Sequence, residues 1–153
     1  MFSAKRIREY LEGQVSLLLD KNNWKPIALT NEWLASIKDV PAVYILIEDG
    51  RIVYVGETGS LKGRMKDLCD SRHHNVRRNI GRKYYSKRKG YKAASSKDKF
   101  PDNIEKFVDQ HITGKLKLSY LEIELGRKEV EEYIEKDLDP TYRLNIRGKR
   151  KTK

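Results

Sequence analysis

Between Ala42 and Arg64 the chain reads AVYILIEDGRIVYVGETGSLKGR, and the placing of its one inward-turned arginine asks for an explanation. A helix beginning at Ser60 or Thr58 would carry an apolar stripe of Leu61, Met65 and Leu68. Arg64 lies three residues after Leu61 and four before Leu68, on that same stripe. A guanidinium turned inward is costly unless it is paired or faces a polar cleft. Arg64 is therefore either an arginine whose stem packs while its head reaches water, or the cation of a cleft. Tyr44 and Tyr54, taken alone, read as strand residues that pack.

A second chemical signal follows. Residues 72–97 contain Arg72, Arg77, Arg78, Arg82, Lys83, Lys87, Arg88, Lys89, Lys92 and Lys97, and no acid, with Tyr84, Tyr85 and Tyr91 between them. Basic charge mixed with aromatic rings suits phosphate contacts and base stacking; a merely solvated basic face is the plainer alternative. The expected nucleic-acid contacts are Arg72, His73, His74, Arg77, Arg78, Arg82, Lys83, Lys87, Arg88 and Lys89. Cys69, His73 and His74 invite a zinc reading, but structural zinc asks for four ligands at recognisable spacing, and no partner cluster is visible. A phosphate contact from His73 or His74 fits better.

Composition points the same way. The chain has 33 Lys and Arg against 22 Asp and Glu, a formal net charge of +11. Such an excess favours a polyanionic partner through release of counterions from phosphates. One cysteine excludes an internal disulfide and fits a reducing cytoplasm. No apolar run approaches the ~18 residues of a membrane span, and no signal-peptide pattern opens the chain. The length of 153 residues allows one domain with a real core.

The elements that must position these residues can be read in order. Residues 3–20 have helical periodicity through Ile7, Leu11, Val15 and Leu18. Thr30 can cap a short helix holding Trp33, Leu34 and Ile37. Ala42–Glu48 and Arg51–Gly56 form a hairpin across Asp49-Gly50. A two-residue loop there would turn Tyr44 and Tyr54 to opposite faces. A three-residue loop, Glu48-Asp49-Gly50, would set Tyr44 opposite Tyr54 and sort Val43, Ile45, Ile47, Val53 and Val55 onto the other face, so it is preferred. A basic helix starts near Asn75, and Lys87–Lys99 reads as a mobile loop. A helix from Pro101-Asp102 to Gly114 precedes a third strand through Leu116, Leu118, Tyr120 and Ile123. The last helix, 127–138, packs Val130, Tyr133, Ile134 and Leu138, with Glu131 at the edge of that stripe and Glu132 outward. Pro140 stops it, and Tyr142–Ile146 is extended and carries Asn145. The sequence thus predicts an α/β (α+β) fold, a small three-stranded antiparallel sheet flanked by helices. Residues 1–39 form a helical extension packed on a main domain of residues 40–147, and 148–153 are a basic tail able to add affinity for phosphates.

In this order Tyr44, Tyr54-Val55-Gly56, Arg64, Glu131 and Asn145 resemble the GIY-YIG nuclease family. Ala42-Val43-Tyr44 stands for the first triplet and Tyr54-Val55-Gly56 for the second, with Arg64 ten positions after Tyr54 and Glu131 nine before Pro140. Ala42 replaces the leading glycine, and Leu68 stands where some members carry a histidine. The resemblance spans residues 40–147 and implies a metal-dependent DNA endonuclease. Glu131 would hold Mg²⁺ (or Mn²⁺), Arg64 would contact nonbridging oxygens, and Tyr44 would be the general base, its phenol made more acidic by the cation and Arg64. Tyr54 would orient water or phosphate, Gly56 would let backbone come close, and Asn145 would hold neighbours by hydrogen bonds. The implied partner is double-stranded or branched DNA. The competing expectations are a nucleic-acid-binding module with this fold that does not cut, and a basic RNA-associated structural protein.

Overall fold

A computed structural model describes residues 3–145 as three layers. The middle layer is a four-stranded antiparallel sheet of β1 (Lys25–Pro26), β2 (Ala42–Glu48), β3 (Arg51–Thr58) and β4 (Leu116–Glu122), in the order β1-β4-β2-β3. The sheet has one strand more than the three expected. β1 pairs only Lys25 and Pro26 with Leu118 and Lys117, too short for any periodicity to announce it. The central strand β2 is buried along its whole length, as its near-continuous apolar run requires.

On one face lie α1 (Ala4–Leu19) and α6 (Arg127–Glu135), which close over Val43, Ile45, Ile47, Ile52 and Val55 with Leu18, Val130 and Ile134. On the other lie α2 (Asn31–Ser36), α3 (Leu61–Asp67), α4 (Asn75–Tyr85) and α5 (Asp102–Lys115). They cover Tyr44, Leu46, Val53 and Tyr54 with Leu61, Met65, Leu68, Val76, Ile80, Ile104 and Val108. Side chains supply the starts of the helices: Thr30 accepts from the Trp33 N–H, Ser60 from the Gly63 N–H, and His74 from the Val76 N–H. Lys87–Lys99 contains neither helix nor strand, yet it is tied back where the Asn103 amide donates to the Lys89 carbonyl and Tyr91 packs on Phe100. No helix among the described residues is long and apolar enough to cross a membrane.

The hairpin corrects the expected loop. Glu48 pairs with Arg51, so Asp49-Gly50 is a two-residue turn, with φ of 52° and 78° at its two residues. Positive φ at both central positions is the turn whose twist matches the flanking strands. The parity is restored farther in. Ile47 pairs with Ile52 but Leu46 pairs with Tyr54, so Val53 is a one-residue bulge. Val53 thereby joins the tyrosine face, and Ile52 takes its place among the aliphatic residues opposite. Tyr44 and Tyr54 do share a face, but diagonally: Tyr44 is opposite Gly56.

The free edge of β3 is closed by the chain's return. The Leu144 N–H donates to the Val53 carbonyl, and the Asn145 amide both accepts from the Val55 N–H and donates to the Val55 carbonyl, each at 2.8 Å. Asn145 thus stands in for a peptide group beside the edge strand. Ile146 and Arg147, and the basic tail at 148–153, lie outside the described residues.

Candidate active site

Four side chains from different elements meet on the second face. Tyr44 comes from β2, Tyr54 from β3, Arg64 from α3, and His74 from the residue that caps α4. The tyrosine rings are 5.8 Å apart between centroids, and Tyr54 and His74 are 5.4 Å apart. Tyr44 Oη lies 3.0 Å from His74 Nε2. Arg64 is close enough to act electrostatically on both phenols. Tyr44 is fully buried, Tyr54 is 8% exposed, and the Arg64 side chain is 27% exposed, so Arg64 is the group of the three most open to solvent.

Gly56 makes room for this arrangement. A Cβ at that position would sit 2.6 Å from Cζ of Tyr44. The glycine is needed because the Tyr44 ring crosses the backbone of β3; the expected close approach at Gly56 is made by a side chain, not by backbone. Leu68, at the position where some members of the family carry a histidine, is fully buried in the core. The histidine that touches Tyr44 arrives instead from the α3–α4 loop.

That loop is braced by arginines. Arg64 Nη1 donates to the His73 carbonyl at 3.1 Å, and Arg78 Nη1 donates to the Arg72 carbonyl at 2.9 Å. Arg77 Nε donates to Ser71 Oγ at 2.9 Å, and its two terminal nitrogens pair with Asp109 at 2.6 Å and Glu105 at 3.2 Å. Ser71 in turn donates to Glu105. The Arg77 side chain is 1% exposed, which removes it from the expected nucleic-acid contacts: its charge is spent on two carboxylates of α5. His74, fully buried, is likewise held by Tyr44 and not available to a phosphate at the surface. Arg72 is paired with Asp70, and Lys83 donates to the Thr141 carbonyl. Arg82, Lys87, Arg88 and Lys89 are exposed along the end of α4 and beyond, and His73 is exposed at the opposite end of the helix, before its start.

Burial pushes the Tyr44 phenol well above its ordinary value; the Tyr54 phenol adds to the rise and Arg64 opposes it. The motif asked for a more acidic phenol, and in this arrangement desolvation outweighs the cation. Burial pushes His74 in the other direction, well below its ordinary value, with Arg64, Arg78 and Arg77 all adding to the effect. His74 is therefore a neutral imidazole in a ring of guanidinium charge.

Glu131 and Asn145 do not belong to this cluster of four. α6 packs on the opposite face of the sheet, and Glu131 sits on one flank of it, 8% exposed. Arg127, Glu131 and Glu135 follow one another at helical spacing on that flank. Arg127 Nε pairs with Glu57 of β3 at 3.2 Å, and Glu135 pairs with Arg143, beside the segment that closes the β3 edge, at 3.2 Å. Glu131 thus comes from the face of the sheet opposite to Arg64, which counts against the expected convergence of carboxylate and guanidinium at one cation. Among the described residues no three His, Cys, Asp or Glu side chains converge as a metal-ligating group. A single buried carboxylate is the donor set of a hard cation that completes its shell with water and a substrate phosphate, the habit of Mg²⁺.

Sequence reasoning missed the Tyr44–His74 pair, and also Asn79, buried on α4, whose amide donates to the Leu144 carbonyl at 2.9 Å and fixes the returning segment. For His74 the signal was present: a helix starting at Asn75 makes its predecessor the cap. Compared with protein-family models, with curated proteins and with solved structures, the chain finds no significant match.

Proposed function

We propose that the cluster of Tyr44, Tyr54 and Arg64 hydrolyses phosphodiester bonds, and that the chain is a GIY-YIG-like, metal-dependent DNA endonuclease with the three-layer fold described above. The observation that carries this reading is the meeting of two phenols and a guanidinium from three elements on one face of the sheet, where nothing but glycine at position 56 would let the first phenol lie. A phosphodiester resists attack because it is already negative, so its cleavage needs positive charge at the nonbridging oxygens and an oriented water. Arg64, the most open of the three to solvent, supplies planar donors to those oxygens. Tyr44 takes the proton of the attacking water, and Tyr54 orients water or phosphate beside it. Asn145 keeps β3 straight at Val55, next to both Tyr54 and Gly56. The resemblance gives Glu131 the metal, Mg²⁺ or Mn²⁺, which would neutralise charge and stabilise the departing 3′ oxygen; its helix packs on the other face of the sheet from Arg64, so a phosphate would have to reach both around the edge of β3. The exposed row of Arg82, Lys87, Arg88 and Lys89, with His73, gives the backbone of double-stranded or branched DNA its nonspecific grip.

Because desolvation holds the Tyr44 proton tightly, the cutting rate should climb with pH from neutrality to about pH 9 when chemistry is limiting. A flat profile would remove Tyr44 as the base. The decisive assay is cleavage of supercoiled plasmid with Mg²⁺ by the wild type, Arg64→Ala and Glu131→Ala. Loss in both variants supports the reading; cleavage that survives both rejects it.

A second reading has its own observation. Tyr44 is 0% exposed, so no water touches it in this arrangement. That favours a nucleic-acid-binding module that keeps the fold without cutting, and DNA binding without any cleavage in the same assay would select it.

A further inference from the structure

His74 uses both ring nitrogens, and the two contacts together fix its proton. Nδ1 lies 3.1 Å from the backbone nitrogen of Val76, whose N–H can only donate. Nδ1 must therefore be the bare nitrogen. A proton there would face the Val76 hydrogen head on, which rules out both the opposite tautomer and the imidazolium. A neutral imidazole with Nδ1 bare carries its proton on Nε2, and Nε2 lies 3.0 Å from Tyr44 Oη. The direction of the buried contact follows: nitrogen donates and phenol oxygen accepts.

We infer that His74 is a positioning residue for Tyr44, locked as an Nε2–H donor by its duty as the cap of α4, so that the Tyr44 proton can leave only toward the substrate side and never onto the imidazole. The inference rests on the proposed role of Tyr44 and sharpens it. A histidine beside a tyrosine base would ordinarily be read as the group that takes the phenolic proton. Here that nitrogen is already protonated, and what it offers the oxygen is a hydrogen bond that strengthens as negative charge develops on it. The groups facing the phenol are Tyr54 from β3, Arg64 from α3 and Tyr120, its neighbour on β4. Arg64, Arg77 and Arg78 face the imidazole. None of those facing the imidazole is an acid, so nothing there supports a second ring proton. Balance is kept: Tyr44 first loses its phenolic proton to solvent on the Arg64 side, the phenolate takes the proton of the attacking water, the hydroxide so formed makes the new P–O bond, and the 3′ oxygen leaves with a proton from solvent.

The test has an arm that needs no DNA. In ¹⁵N spectra of histidine-labelled wild type at neutral pH, His74 should be neutral with its proton on Nε2, and Tyr44→Phe should shift that proton upfield. The opposite tautomer, an imidazolium, or no response to Tyr44→Phe overturns the inference and leaves the nuclease reading standing. The second arm compares two variants in cleavage. His74→Asn keeps an acceptor for the Val76 N–H and loses the donor; His74→Gln keeps a donor near Nε2 and weakens the cap. A donor role predicts that kcat falls about tenfold in the Asn variant and no more than about threefold in the Gln variant, with KM unchanged. A purely structural cap predicts the reverse order, and that order, or equality, overturns the inference.

Discussion

Two tyrosine–histidine pairs lie on the same face of this sheet, and they are opposites. In one, His74 meets Tyr44 with three arginines and, among the described residues, no carboxylate acting on it. In the other, His111 of α5 lies 2.8 Å from Glu48 at the tip of β2, though with its N–H off the line to the oxygen, and 3.1 Å from the Tyr85 hydroxyl of α4. Tyr84 stacks on the His111 ring at 4.7 Å. The second cluster has a carboxylate built in and joins three elements, so it is a staple. The first leaves Arg64 partly open to solvent, with a half-exposed Asp67 as its one ion-pair partner among the described residues. Identical residue types become a site or a fastening according to whether a carboxylate is built in.

The largest effect expected within the positive region is on stability. Arg77→Ala strips the partner from Glu105 and Asp109 and releases the loop that delivers His74. It should cost about 3 kcal/mol in urea unfolding, the low end for breaking a buried pair because Asp109 is half exposed. A cost below about 1 kcal/mol would mean the brace is idle. Next comes Gly56→Ala, whose Cβ would meet the Tyr44 ring at 2.6 Å. It should destabilise by about 1–3 kcal/mol and displace Tyr44, so cleavage should fall more than stability does; both losses disappearing would place the ring elsewhere. On the staple, Tyr85→Phe removes one hydrogen bond to His111 and should cost about 1 kcal/mol.

The smallest effect is a pH dependence. The His111 ring, 2.8 Å away, holds the Glu48 carboxyl below its usual range, against the opposing pull of burial. A carboxyl lowered in the folded state contributes stability that is present above its unfolded value of about 4.3 and is lost as pH falls through the folded value. The gap in unfolding free energy between wild type and Glu48→Gln should therefore be open at pH 7 and narrow below about pH 4. A gap independent of pH would show that Glu48 carries no charge in the fold.

Much of this was legible beforehand, and the misses have causes. Apolar periodicity marked α1, α3, α5 and α6, and β-branched runs marked β2 and β3, because each element buries one stripe or face. The bulge at Val53 was hidden: Asp-Gly favours its own tight turn, and parity was repaired three residues inward where no sequence signal sits. Arg77 read as a surface cation because the acids that bury it, Glu105 and Asp109, come 28 and 32 residues later, on another helix. Glu131 was legible as an edge residue of its stripe, but which edge of the sheet it would face depends on where α6 lands. The closing of β3 by Asn145 depends on the same landing.

Single-turnover cleavage of a DNA duplex in Mg²⁺, with Arg64→Ala and Tyr85→Phe at equal folded concentration, tests the contrast most directly. The account predicts that Arg64→Ala slows cleavage by about 10²–10³-fold, as loss of a donor to a developing charge does elsewhere, while Tyr85→Phe cuts at close to the wild-type rate. Equal rates in the two variants, slow or fast, would contradict the assignment of the arginine-rimmed pair as the site and the carboxylate-bound pair as the staple.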